Sequence, residues 1–334
     1  MRIPYETMLN EFKRILTDRG VSEDIALEAA MNFAKTSLDG VYSHGVNRFP
    51  RIVGYIDRGI IDPKALPECE MRFGAMERWN GNLGLGNINA KRAMNRACEL
   101  AEENGIGIVA LRNTNHWLRG GAYGWQAAEE GYIGICWTNT MPNMPAYGGK
   151  DHKIGNNPFI MAVPRTSGEH VVLDMAMSQF SYGKLEDYRM KGKKLPIPGG
   201  YDKEGKLSTD PGAIEESGRV LPIGFWKGSG LSIVLDMIAT VLAGGNATCD
   251  IEKDSENESG LSQVLLAIDP KKFSTAAQID EMITRIVEDL KTSEMDEEIG
   301  GVSYPGQSTI RRRKENLEKG IPVQEEVWNR ILAL

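Results

Sequence analysis

At 334 residues the chain is long enough for one large α/β domain or two smaller ones, and 41% hydrophobic with 25% charged residues excludes a disordered chain. A formal charge of −7 leaves no broad basic surface to neutralise phosphates, which excludes nucleic acid as a partner. The four cysteines (Cys69, Cys98, Cys136, Cys249) form no C-x-x-C pair, and neither a signal-peptide core nor an apolar run long enough to span a bilayer is found; the expectation is a cytoplasmic protein in a reducing compartment, with no membrane partner.

The first 70 residues read as helical. Met8, Leu9, Phe12, Ile15 and Leu16 recur at helical spacing over residues 6–18. Ser22 can cap a second helix, with Glu23 and Asp24 favourable in its first turn. Its apolar face runs through Ile25, Ala29, Phe33 and Ala34 until Gly40 stops it. Residues 51–59 predict a third helix.

From about residue 70 helices and strands alternate. A helix over 90–103 precedes the strand-like "IGIVALRN", and a helical stretch over 125–130 precedes "YIGICWTN". "FIMAVP" and "HVVLDM", joined by the turn "RTSGE", read as adjacent strands that could form a hairpin. The expected core is therefore α/β with a mixed sheet. Residues 185–220, rich in Gly, Pro, Lys and Asp, read as a long excursion over the surface. "GSGLSIVLDMIATVLAGG" is apolar on nearly every face, as expected of a helix buried in the core or against a partner subunit. A strand near "VLLAID", an amphipathic helix over 279–290 and a helical C-terminal segment complete the order.

The glycine pattern "GLGNIN" (Gly84, Gly86, Asn89) imitates a dinucleotide fingerprint, but "ERWNGN" before it reads as a turn and the last small residue is absent. "GIGIVA" runs from helix to strand, the wrong order. Both read as caps and turns, and a Rossmann domain is not supported.

His44 lies in "GVYSHGVNRFPR", one of only four histidines. A solvated turn is the bland reading. The sharper one pairs an imidazole that can protonate a developing alkoxide with Arg48, a planar fork for a carboxylate. If 44–48 is helical the two share a face, though Pro50 works against helix at Phe49. His116 lies in "NTNHWLRGG", a loop after a strand where donors and permissive backbone gather. "FWKGSG" offers Lys227 and helix N-terminal amides as an anion site, or simply an N-cap at Ser229. "TIRRRKENLEKG" reads as a solvated helix face.

Together, "GVYSHGVNRFPR", "NTNHW", "GYIGICWTN", "IGNNP", "VLDMAMS", "FWKGSGLSIVLDMIATVLAGG" and "YPGQ" resemble, in order and spacing over essentially the full chain, the malate/L-lactate/sulfolactate dehydrogenase family, and within it a branch that reduces a diketo sugar acid. The resemblance implies a non-Rossmann, three-layer α/β/α fold with a mixed sheet. Residues 1–72 would be a helical N-terminal region on which 305–334 pack back, and 73–304 the cofactor-binding and catalytic core. It implies reduction of a 2-oxo acid by NADH, with NADPH as the alternative cofactor, in a homodimer. His44 would be the proton donor, Arg48 the carboxylate holder and His116 a pocket residue that is the acid/base in a related branch, so the resemblance leaves the division between the two histidines open. Cofactor contacts would fall on His170, Val171, Val172, Leu173, Asp174, Met175 and Ala176, on Trp226 and Lys227, and on Gly306, Gln307 and Ser308. The last triplet departs from the branch, which resembles "PGHE" where this chain has "PGQS". No arginine stands out for a 2′-phosphate near Asp174, which points to NADH. Malate, lactate, sulfolactate, ureidoglycolate and cyclic imino acids are alternative substrates, and a non-catalytic anion binder is the reading outside the class.

Overall fold

The computed structural model describes residues 1–298 and 300–334. Its centre is a seven-stranded sheet: β1 (Glu68–Phe73), β2 (Met76–Asn80), β3 (Ile106–Thr114), β4 (Ile133–Thr138), β5 (Phe159–Val163), β6 (Val171–Met175) and β7 (Leu261–Ile268). The spatial order is β1-β2-β3-β7-β4-β5-β6. Only β2 and β3 pair in parallel; every other neighbouring pair is antiparallel, including the expected β5–β6 hairpin.

Alternation along the strands builds three layers. In β3 Val109 points to one face and Ala110 to the other, and in β7 Leu265 and Val264 divide in the same way. The first face is covered by helices Gly86–Asn104 and Gly121–Glu129, through Ala93, Ala97 and Ala127. The second is covered by helix Trp226–Ala243 through Leu235, Ala239 and Ala243. Small side chains at these contacts let helix and sheet backbones approach closely.

Helices Tyr5–Thr17, Glu23–Leu38 and Phe49–Asp57 form a separate apolar cluster in which Phe12 stacks on Phe49 and Phe33 meets both edge-on. Ile321, Trp328 and Ile331 from the far end of the chain complete it, and Arg2–Ile3 pairs with Ile321–Pro322.

Several expectations need correction. "ERWNGN" is not a turn: it includes β2, and β2, helix Gly86–Asn104 and β3 form a parallel strand–helix–strand unit. The strand was hidden because its buried residue is Glu77, which accepts bonds from Arg96 Nε (3.0 Å) and Trp79 Nε1 (2.8 Å). The glycines that follow still serve packing, since a Cβ on Gly86 would sit 2.2 Å from the Asn115 carbonyl oxygen. Ser22 stands at the N-cap of its helix, yet its hydroxyl bonds Asp24 instead of a helix N–H.

The 185–220 excursion is folded. Helices Tyr182–Met190 and Pro211–Ser217 and the pair Gly200–Tyr201/Leu207–Ser208 enclose Phe180, Leu185, Leu195, Ile214 and Val220. Helix Trp226–Ala243 is, by length and hydropathy, long enough to cross a bilayer, contrary to expectation. Its inner face packs on the sheet, and Asp236 within it accepts bonds from Asn139 and Thr248. Its outer face leaves Leu231, Val234, Met237 and Val241 exposed.

Candidate active site

Residues 44–48 are not one helix. A 3-10 turn covers Tyr42–His44, and Arg48 is the N-cap residue of helix Phe49–Asp57, with Pro50 in its first turn. Proline is tolerated there because a first-turn N–H has no intrahelical acceptor. The two side chains nevertheless reach the same place. His44, Arg48 and His116 line one cleft of about 830 Å³, with Asn143, Asn156, Tyr182 and Glu258. A second cavity, about 580 Å³, adjoins it and is lined by Val172, Leu173, Asp174, Ala176, Gly306, Ser308 and Thr309. His44, His116, Ser43, Thr140, Asn156 and Ser181 belong to both and form the wall between them.

The two imidazoles face each other with centroids 5.9 Å apart and planes 25° from parallel. His116 Nδ1 accepts the Leu118 backbone N–H at 3.0 Å, so the neutral ring carries its proton on Nε2. His44 Nδ1 lies 2.9 Å from the Ser43 hydroxyl, which can turn to donate or accept. Burial lowers the His44 pKa to about 3, and the positive charges of Arg48 and Arg119 add to the effect. Burial, then Arg48 and His44, also hold His116 well below its ordinary value. Both rings are therefore neutral at neutral pH without a ligand.

Among the described residues, no carboxylate lies within ion-pair distance of the Arg48 guanidinium; the acids that attract it, Glu258 and Glu256, act from farther off. It is a cation on the cleft wall with its fork open. Asn156 has a fixed orientation: its Oδ1 accepts from Asn143 Nδ2 (2.9 Å) and Thr140 Oγ1 (3.2 Å), leaving Nδ2 as an available donor at the shared wall.

The second cavity is bounded by β6 and by the first turn of helix Gln307–Lys319, whose N-terminus favours an anion. Gly306 keeps that wall thin: its φ is +94°, and a Cβ there would come within 3.1 Å of the Val172 amide nitrogen. Asp174 Oδ2 accepts from the Gly121 amide (3.1 Å) and Arg119 Nε (3.4 Å). This arginine comes from the donor-rich loop that carries His116, 55 positions away in the chain, a pairing that spacing does not give. Arg119 also bonds Asp39 (2.6 Å), which receives Arg313 Nε as well (2.6 Å). Arg313 lies over the Trp125 ring, so "TIRRRKENLEKG" is not wholly a solvated face.

The remaining expected contacts do not line this cavity. His170 is buried beside Trp125, its Nδ1 accepting from the Arg165 amide, and borders a different depression. Val171, Met175 and Gln307 are likewise outside the lining. Trp226 and Lys227 are exposed at the start of their helix. Ser229 is not its N-cap; Phe225 is, and the Ser229 hydroxyl accepts the Tyr147 amide. Thr140, Asn156, Ser181 and Glu258 were not singled out from the sequence. "IGNNP" carried a signal for Asn156, but the others come from segments with no distinctive spacing.

The malate/L-lactate dehydrogenase family matches residues 3–332. A 2,3-diketo-L-gulonate reductase of Citrobacter koseri is 48% identical over 334 residues, covering all of both chains. Among solved structures, the sulfolactate dehydrogenase of Methanocaldococcus jannaschii superposes with a TM-score of 0.91 at 29% identity, covering 99% of this chain and 95% of its own. The malate dehydrogenase of Pyrococcus horikoshii gives 0.90 at 29% identity, covering 100% and 95%. A mixed-sheet α/β fold, two cavities meeting at a pair of neutral histidines, and likeness along the whole length agree: the chain belongs to the malate/L-lactate dehydrogenase family, oxidoreductases of CH–OH groups that work with a nicotinamide cofactor.

Proposed function

We propose that this chain reduces the 2-keto group of 2,3-diketo-L-gulonate to give 3-dehydro-L-gulonate, with NADH as reductant. The observation that carries the reading is the shared wall: His44 and His116 separate a cleft with an open guanidinium from a second cavity lined by β6 and by the residues at the start of helix Gln307–Lys319. The cofactor side fits a dinucleotide by its donor set. Ser308 and Gly306 at a helix N-terminus suit a pyrophosphate, and Asp174, with one oxygen still available, suits ribose hydroxyls. When bound, the nicotinamide supplies a hydride to the carbonyl carbon.

The protein's own part is placement and proton supply. Arg48 holds the substrate carboxylate through two parallel bonds, which orients the ketone toward the histidine wall. His44 gives the proton. Its Nδ1 faces a hydroxyl that can accept, so the ring can carry two protons, whereas a second proton on His116 would confront the Leu118 N–H. His116 is suited instead to donating its Nε2–H to the substrate oxygen while staying neutral. The carboxylate cancels the charge of Arg48 and negative charge growing on the substrate oxygen raises the proton affinity of His44, so the ring takes one proton from solvent for the one it gives to that oxygen and ends neutral, as it began.

We also propose a homodimer formed through the exposed row Leu231, Val234, Met237 and Val241, an apolar stripe at helical spacing. The four cysteines are free thiols, which supports a cytoplasmic setting. The test of function is loss of NADH absorbance across a panel of 2-oxo acids. 2,3-Diketo-L-gulonate should give the highest kcat/KM, and malate- or lactate-forming substrates ranking above it would overturn the substrate assignment.

A further inference from the structure

The polar cleft beyond Arg48 contains one carboxylate whose hydrogen bonding is incomplete. Glu258 is only 7% exposed, yet it lines the cleft with Arg48 and the two histidines. Its Oε1 accepts the Met141 amide at 3.1 Å; among the described residues no protein donor reaches Oε2. Burial pushes its pKa up, offset only in part by the Met141 amide and by Arg48 and Arg51, neither of which lies within ion-pair distance. A carboxylate offers about four acceptor positions; among the described residues the protein fills one of them, and the free oxygen belongs to a side chain that lines the cleft. The loop before it is tied to helix Phe49–Asp57 and the residue after that helix. The Tyr55 hydroxyl donates to the Ser255 carbonyl, and Arg58 donates to the Glu256 carbonyl at 2.7 Å.

We infer that Glu258 is a specificity-determining residue whose free oxygen accepts a hydroxyl from the substrate chain beyond the reacting carbonyl. The class of ligand is a polyhydroxylated 2-oxo acid. The inference rests on the sugar-acid reading above and deepens it. With the carboxylate on Arg48, the rest of the substrate extends along a wall that already presents cations at Arg51 and Lys253 and an amide at Asn143. What that wall needs from a ligand is a donor for Glu258, and a hydroxyl gives one without adding charge. A short acid with no hydroxyl on its tail leaves the carboxylate desolvated and unpaired.

The test compares kcat/KM for 2,3-diketo-L-gulonate with that for 2-oxohexanoate, of equal chain length but without hydroxyls, in the parent and in Glu258→Gln. Glutamine retains an acceptor for the Met141 amide but loses the charge. Hydrogen bonds to charged groups convert to a fall in the sugar-acid/plain-acid ratio of about 10- to 150-fold. A ratio within about threefold of the parent's, well below that range, overturns the inference even if both rates drop, since equal losses mean a structural role. A parent that prefers 2-oxohexanoate overturns the substrate reading itself, and is seen before any variant is made. Should the variant not fold, the parent assayed with analogues lacking one hydroxyl at a time reads the same contact. One hydroxyl should carry most of the preference, and an even spread overturns the assignment.

Discussion

His44 and His116 stand nearly parallel across 5.9 Å, but their outer surroundings differ: a rotatable hydroxyl meets Nδ1 of His44, and a fixed backbone N–H meets Nδ1 of His116. The difference sets which ring can become an imidazolium. Replacing His44 with Ala should lower turnover by roughly 100- to 10,000-fold, the range for a lost general acid, with little change in NADH affinity. His116→Ala should leave a pH-rate profile of the parent's shape at reduced height. If His44→Ala keeps its turnover and His116→Ala loses it, the roles are reversed.

The same burial makes the histidines a liability in acid. The His44 pKa is about 3 in the folded protein and near 6.5 when unfolded, so between these values only the unfolded chain takes up the proton. Stability is therefore unaffected above about pH 6.5 and falls as the pH drops toward 3. His44→Gln should flatten the dependence of unfolding free energy on pH by up to about 1.4 kcal/mol per pH unit in that window. Urea titrations at pH 4, 5 and 6 measure it; parallel curves for parent and variant would contradict the shift.

Arg48→Lys keeps the charge and removes the fork. Losing one charge-assisted bond should lower kcat/KM for the 2-oxo acid by roughly 10- to 150-fold, with NADH binding untouched. Steady-state kinetics beside a fluorescence titration with NADH distinguish the two effects. A kcat/KM within about twofold of the parent, on this bond arithmetic, would assign Arg48 to the turn alone.

Asp174 should favour NADH over NADPH, because a 2′-phosphate would meet its carboxylate while the nearby Arg119 is already engaged by Asp39. Comparable specificity constants for the two cofactors would refute this. Asp174→Ser should narrow the difference, and a variant with unchanged preference would place the discrimination elsewhere.

Met237 and Val241 are 61% and 73% exposed on the outer face of helix Trp226–Ala243. A charge at either position would be desolvated in an interface, so Met237→Asp with Val241→Asp should shift sedimentation from dimer to monomer. An active parent that sediments as a monomer at assay concentration would refute the homodimer.

Much of this architecture was legible from periodicity. The helices outside 182–217, β3 to β7 and the His44 and His116 loops follow from apolar spacing and from polar residues gathered where strands end, whereas the two short helices within 182–217 do not. β2 was not legible, because a buried Glu–Arg pair looks like a solvent-facing pattern until Arg96 is seen beside Glu77. Glu258 was lost for a related reason. It sits in "IEKDSENESG", a stretch whose composition signals exposure, and only its tethers to helix Phe49–Asp57 turn it inward. Asp174 and Arg119 each stood out, but their pairing did not, since proximity across 55 residues leaves no trace in spacing.

Asp39 ends the second helix of the chain, Arg313 lies within helix Gln307–Lys319, and Arg119 between them touches the second cavity. The cavity wall itself draws on Val41 and His44 from one end of the sequence and on Gly306, Ser308 and Thr309 from the other. One buried carboxylate thus clamps segments 274 positions apart in the chain. The cavity wall closes only where residues 41–44 and 306–309 meet, so a substitution at Asp39 would loosen a boundary it does not itself line.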